Sequence, residues 1–246
     1  METTFDIVYN SENQTWPGSH HISEKEDLTI AVLDSSFNPP TLAHKELLLK
    51  AATEYSAGAH ILLFSTKNAD KELTGANTQQ RLYMMQKLAI DLHEQSSIRN
   101  IAVGVTKHAR FFEKADEIHA WLRSQDPNRK VQLGFIMGYD TVIRLVDQKY
   151  YDQPVVQALQ PFFQDNFVVC ADRAGYTHTD IELFWSKNQV IHMFKDKIRR
   201  MTIDDNLASI SSTQVRSQIQ RNDNIDHLVD QNIQQYIRDN CIYPTK

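Results

Sequence analysis

The sequence predicts an α/β fold in which a parallel sheet is flanked by helices, and three observations carry that expectation. Short apolar runs alternate with segments of helical period along most of the chain, the pattern of strands joined by crossover helices. The first run, Leu28–Leu33, leads straight into Asp34-Ser35-Ser36-Phe37-Asn38-Pro39-Pro40-Thr41-Leu42-Ala43-His44. A histidine is thus delivered to a strand-to-helix turn, the place where α/β folds bind phosphates. Far along the chain, Ile210-Ser211-Ser212-Thr213-Gln214-Val215-Arg216 forms a second helix start that carries hydroxyls and one arginine.

Residues 1–27 are polar and turn-prone around Trp16-Pro17-Gly18, so they read as an N-terminal extension, packed on the domain or partly mobile. Residues 28–246 read as one domain. After Leu28–Leu33 the pattern predicts a helix from Thr41 to about Ser56, a strand at His60–Ser65 and a helix at Thr78–Leu92. A strand at Ile98–Thr106, a helix at Phe111–Ser124 and a strand at Val131–Met137 follow. Asn166–Ala171 and Val190–Phe194 read as two further strands, and Ser211–Gln220 and Asp230–Asp239 as closing helices.

Bulk properties narrow the function. A chain of 246 residues with 41% hydrophobic content can bury a full core, and a formal net charge of −5 argues against a nucleic-acid partner, which needs a basic face. Cys170 and Cys241 stand without a ligand pattern, so neither a disulfide framework nor a zinc site is expected. Met1 to Asn10 lacks a signal-peptide pattern and no apolar run can span a bilayer. The expectation is a soluble protein of the cytoplasm, with the nucleus as a further compartment, and no membrane partner.

At the first turn, Asn38-Pro39-Pro40 delays the helix until Thr41 can cap it. Capping explains the prolines and Thr41 but not His44, which can donate to an anion held over the free helix amides. At the second turn, Ser211 and Gln214 make a capping-box pattern, which is the plain structural reading. One cap needs one hydroxyl, whereas Ser211, Ser212, Thr213 and Arg216 together make an anion cradle. Lys67 and Lys71 lie in the loop after the second strand; most loop lysines are simply solvated.

Taken together these residues resemble the nucleotidyltransferase superfamily and, within it, the nicotinamide mononucleotide adenylyltransferases, in a form closest to a divergent fungal branch. Ser35-Ser36-Phe37-Asn38-Pro39 is similar to the family's G-S-F-N-P, and Thr41-Leu42-Ala43-His44 to its [H/T]-x-x-H. Arg81 sits where the family has an arginine, Gly138-Tyr139-Asp140 resembles its G-x-D, and Asp172-Arg173-Ala174-Gly175 its R-A-G turn. Ile210 to Arg216 matches I-S-S-T-x-x-R, and Leu228 to Tyr243 resembles the closing helix. Ser35 and Ala43 replace two family glycines; if position 35 needs positive φ, serine costs roughly 1 kcal/mol. The family's W-x-E-T helix start is missing, and Phe111-Phe112-Glu113-Lys114 stands there.

The resemblance implies a Rossmann-like nucleotidyltransferase fold and transfer of the adenylyl group of ATP to nicotinamide mononucleotide, giving NAD and pyrophosphate by direct in-line attack. His44 and Arg216 are the expected catalytic residues. Ser35, Ser36, Phe37, Thr41, His44, Lys71, Gly138, Asp140, Ser212, Thr213 and Arg216 would hold ATP, with His44 and Thr41 on the α-phosphate, Thr213, Arg216 and Lys71 on the outer phosphates, and Asp140 on ribose hydroxyls. Ser36, Phe37, Phe112, Tyr150 and Tyr151 would hold the mononucleotide. Mg²⁺ would be carried by the ATP phosphates, with no protein metal ligands. The alternatives are a cytidylyltransferase or pantetheine-phosphate adenylyltransferase type of enzyme, or a weakly active nucleotide-binding regulator. Oligomeric state is left open.

Overall fold

Apolar side chains on both faces of nearly every strand require a helical layer on each side of the sheet. In β2 (Leu28–Asp34), Ile30 and Val32 enter one core while Ala31 and Leu33 enter the other, the mark of a parallel strand covered twice. The same split recurs in β3 (Ala59–Ser65), with Ile61 and Leu63 on one face and Leu62 and Phe64 on the opposite one. This computed structural model describes residues 4–11, 15–18, 27–67, 74–171 and 176–244.

The seven-stranded sheet has the order β1-β4-β3-β2-β5-β6-β7, adding β1 (Phe5–Asn10), β4 (Ile101–Thr106), β5 (Val131–Gly138), β6 (Asn166–Ala171) and β7 (Ile198–Met201). All pairings are parallel except β1 with β4. The residues expected to form an extension therefore supply an antiparallel edge strand. Trp16 is buried with its indole N–H donating to Asn100 O at 2.8 Å, packing that segment on the domain.

Helices α1 (Leu42–Glu54) and α2 (Thr78–Gln95) cover one face, burying Leu48, Met84, Met85 and Leu88. On the other face α3 (Phe111–Gln125) buries Ala115, Ile118 and Leu122. There too lie α4 (Tyr139–Leu145), α5 (Val155–Leu159), α6 (Phe162–Asp165), α7 (His178–Lys187) and α8 (Gln189–Met193). The chain then passes α9 (Asp205–Ala208) and returns to the first face with α10 (Ser212–Gln220) and α11 (Gln231–Asp239), which bury Val215, Ile233 and Ile237. A full burial of each such side chain contributes about 1.5–3 kcal/mol. Lys45 of α1 ties the helices of this first face together through ion pairs to Asp91 of α2 and, at 3.0 Å, to Asp230 before α11.

The strand expected at Val190–Phe194 is a helix instead. Asn188 caps it, its side chain accepting from Val190 N and Ile191 N at 3.0 and 3.1 Å, and five residues follow helically. The strand in that region is β7, Ile-Arg-Arg-Met, whose two central arginines hid it from an apolar pattern. No helix among the described residues is long and apolar enough to cross a membrane.

Connections from β2 run out through β3 to β4 on one face and return to β5 on the other, so strand order reverses between β2 and β5. In open parallel sheets ligands bind outside the carboxyl ends at such a reversal. Those ends are Asp34 and Gly138, followed by the turn Ser35–Thr41 and by α4.

Candidate functional site

The first of the two turns expected to bind phosphate is built around His44. Its Nδ1 accepts the Thr41 backbone N–H at 3.1 Å, and because an amide can only donate, the neutral ring carries its proton on Nε2. Nε2 lies 2.9 Å from Ser35 Oγ, to which it donates. His44 is thus the third residue of α1 reaching back to the helix cap, and this supplies the local reason that the sequence pattern lacked. The ring also stacks at a tilt on Phe37, 5.1 Å between centroids. Phe37, fully buried, is the residue of this turn with positive φ, at 43°. Ser35 is not, so the loss of glycine at Ser35 carries no left-handed strain; that cost of roughly 1–2 kcal/mol falls on Phe37. Ser36 is exposed, and its carbonyl accepts from Arg81 Nη1 at 3.2 Å.

The second turn docks on the first. Ser211 is the cap of α10, its Oγ accepting Gln214 N–H at 3.2 Å, so the plain reading of that hydroxyl holds. Ser212 does something else: its Oγ donates to Pro39 O at 2.7 Å. Arg216, one turn on, donates through Nη1 to Asn38 O at 2.7 Å and through Nη2 to Thr213 Oγ1 at 3.2 Å. Residues about 175 positions apart therefore share one cleft, with the amino ends of α1 and α10 meeting at Asn38-Pro39. Thr213 remains exposed on the rim.

Charge at this cleft is set by two guanidiniums. Arg81 is almost wholly buried, and among the described residues it donates to carbonyls alone, those of Ala76 (2.8 Å), Ser36 (3.2 Å) and Thr74 (2.6 Å). Burial, and after it the like charge of Arg216, pushes the Arg81 pKa down. Among the described residues neither arginine has a carboxylate at ion-pair distance. Two cations held by neutral acceptors leave a positive field that a polyphosphate can neutralise. Asp34, at the end of β2, would oppose such a ligand, but Lys114 of α3 pairs with it at 2.5 Å and both side chains are buried.

On the opposite flank Gly138 caps α4, and a Cβ placed on it would meet nothing within 4 Å. Protein packing does not require the glycine, so open space lies where a ligand could come close. Asp140, in the first turn of α4, accepts from the Tyr176 hydroxyl. Phe112 and Tyr151 are both half-buried against the core beneath α3 and α4. Tyr151 donates to Leu145 O at 2.7 Å, and burial pushes its phenol up to about 12, with Arg110 acting the other way. Tyr150 is exposed under Lys149, 4.9 Å from its ring, and sits in a short turn beyond α4. The two neighbouring tyrosines accordingly have different surroundings. Lys71 and the Asp172–Gly175 turn lie outside the described residues.

Sequence reasoning missed the Asp34–Lys114 pair, the role of Asn38 as the junction of both turns, and Tyr243, whose hydroxyl donates to Asn38 Oδ1 at 2.8 Å. Lys114 did leave a signal, being a cation beside the apolar positions Phe111, Ala115 and Ile118 of its helix.

Known proteins resemble this chain in sequence and in fold. The cytidylyltransferase-like family model matches residues 32–218, spanning both phosphate turns. A Schizosaccharomyces pombe protein provisionally assigned as a nicotinamide mononucleotide adenylyltransferase is 33% identical over 206 residues, 80% of this chain and 78% of that protein. The Plasmodium falciparum nicotinic acid mononucleotide adenylyltransferase complexed with NaAD superposes with a TM-score of 0.63 at 17% identity, covering 89% of this chain and 98% of the other. The same enzyme complexed with APC gives 0.59 at 15% identity, with the same coverage. At these identities the two solved structures establish the likeness of fold.

Proposed function

The chain belongs to the cytidylyltransferase-like family, and from that membership we propose that it is an adenylyltransferase joining ATP to nicotinamide mononucleotide, with NAD and pyrophosphate as products. One observation carries the reading: Arg216 and Ser212 bind the backbone of Asn38-Pro39, so both triphosphate motifs face one cleft at the reversal of strand order.

The chemistry suits what this cleft contains. The 5′-phosphate of a mononucleotide is an anion at neutral pH and attacks the α-phosphorus directly: its oxygen forms the new P–O bond as the bond to pyrophosphate breaks. No proton has to be removed from the nucleophile, so alignment and charge stabilisation are the protein's tasks. His44, with its Nε2 proton turned toward Ser35, can shift that hydrogen bond to an α-phosphate oxygen, and Thr41 lies beside it. Thr213 and Arg216 serve the β- and γ-phosphates, and Lys71 is proposed to join them. Asp140 would exchange its Tyr176 partner for ribose hydroxyls, next to Gly138. Phe112, Tyr150 and Tyr151, with Ser36 and Phe37, are proposed for the mononucleotide.

Mg²⁺ fits as a companion of the triphosphate. The groups around the turns are mainly hydroxyls, an imidazole and guanidiniums, with the Asp34 carboxylate paired to Lys114. The ion would offset charge on the phosphate oxygens.

Purified protein offered ATP or CTP with a panel of phosphorylated acceptors tests this reading. Dinucleotide and pyrophosphate should form from ATP and nicotinamide mononucleotide with Mg²⁺. Turnover only with CTP and a phosphoalcohol would point to the cytidylyltransferase alternative, and tight ATP binding without turnover to a regulator.

A further inference from the structure

We propose that Tyr243 is a positioning residue for the phosphate turn, locking Asn38 so that the backbone shared by both triphosphate motifs stays in place; the inference rests on the adenylyltransferase reading of this cleft. The Tyr243 hydroxyl donates to Asn38 Oδ1 at 2.8 Å. The same oxygen accepts Ala76 N–H at 3.1 Å, and Asn38 Nδ2 donates to Thr74 O at 2.8 Å. The carboxamide orientation is therefore determined, since an amide N–H and a carbonyl stand on its two sides. The main-chain carbonyl of Asn38 meanwhile takes Arg216. One residue thus joins the first turn, the segment Thr74–Ala76, α10 and the end of the chain.

Two neighbours show how tightly this junction is built. Gly75 has φ +79°, and a Cβ on it would lie 2.9 Å from Asn38 Oδ1 and 3.0 Å from Tyr243 Cε1, so glycine alone permits the approach. Arg81 closes the other side by donating to carbonyls of Ser36, Thr74 and Ala76. Tyr243 itself is buried, with φ at 63°, and its phenol is held neutral by burial against the opposing influence of Arg81 and Arg216. Apolar packing of this end is already supplied by Ile237 and Ile242, and a phenylalanine would fill the same volume as the tyrosine ring. What the hydroxyl adds is the hydrogen bond to the residue between the two phosphate motifs.

Tyr243→Phe keeps the ring and removes that bond. In the full-length protein kcat with ATP and nicotinamide mononucleotide should fall about tenfold, because small displacements of aligned groups are costly in rate. KM for ATP should stay within about threefold, the melting temperature should move only a few degrees, and exchange of the Ala76 amide should quicken by about tenfold. An unchanged kcat overturns the proposal, as does a loss of rate that matches the unfolded fraction. Should the wild-type protein make no dinucleotide at all, the reaction assignment falls by itself. Hydrogen exchange at Ala76 then decides the lock alone, and unaltered exchange in the variant overturns it.

Discussion

The backbone N–H of Thr41 donates to His44 Nδ1 at 3.1 Å, so the histidine of the first phosphate turn is at once a helix cap and a poised Nε2 donor. The pairing orients the ring: without it either nitrogen could carry the proton. His44→Ala should therefore act on two levels. Loss of the cap costs about 1 kcal/mol, or roughly 2–4 °C in a domain of this size. Loss of a donor to charge developing at the α-phosphate costs about 10²–10³ in kcat. Measuring kcat on the folded fraction, beside the melting curve, separates the two; near-normal turnover of folded protein would leave His44 only the cap.

Lys114 offers a test of how the cleft manages its own negative charge. Asp34 stands at the end of β2 with a buried side chain, and Lys114 is its partner at 2.5 Å. Lys114→Met should leave a buried carboxylate unpaired, a loss of about 3–5 kcal/mol and on the order of 10 °C in melting temperature. Adding Asp34→Asn should recover much of that stability, since the orphaned charge and not the missing lysine is the cost. If the double variant melts as low as the single one, Lys114 contributes through packing alone.

That the candidate site has two turns was legible in the sequence because each turn is a local pattern: a strand end, prolines or hydroxyls, then a helix with His44 or Arg216 one turn in. The parallel sheet was legible for a similar reason, as doubly covered strands are continuous apolar runs. β7 was not, because Arg199 and Arg200 occupy half of a four-residue strand, with Arg199 covering the Phe167 ring at 4.2 Å. Val190–Phe194 looked like a strand because its Asn188 cap is a single residue, while five helical residues are too few to display a helical period. The Asn38–Tyr243 bond spans 205 positions and leaves no local trace in either segment.

The proposed mononucleotide pocket can be probed at Tyr151, where hydroxyl and ring have separable surroundings. The hydroxyl is committed to Leu145 O and remains protonated at neutral pH, its pKa raised to about 12 by burial. Tyr151→Phe should therefore cost roughly 1 kcal/mol of stability and leave KM for the mononucleotide nearly unchanged. Tyr151→Ala, which removes a stacking surface worth about 1–3 kcal/mol, should raise that KM about tenfold with little change in KM for ATP. A selective rise for Phe112→Ala and not for Tyr151→Ala would place the pyridine ring against α3 instead.

Acid should weaken the fold through His60. This residue of β3 is buried, Nδ1 donates to Arg99 O at 3.0 Å, and Nε2 has no partner among the described residues. Burial lowers its pKa from 6.5 to about 4, only partly opposed by the Arg99 carbonyl. Below pH 6.5 the unfolded chain binds a proton here that the folded protein refuses until about pH 4, so stability falls as pH drops through that window. The most that a shift of this size can contribute is about 3 kcal/mol, since each unit is worth about 1.4 kcal/mol. His119, also lowered chiefly by burial, adds to the loss in the same direction. His60→Asn cannot gain the proton and sets an amide N–H where Nδ1 stands, so it can still donate to Arg99 O. Denaturant unfolding followed from pH 7 to pH 4 should therefore show a shallower decline in the variant than in the wild type. Parallel curves would mean that His60 is protonated in the folded state as readily as in the unfolded chain, and that acid sensitivity arises at other groups.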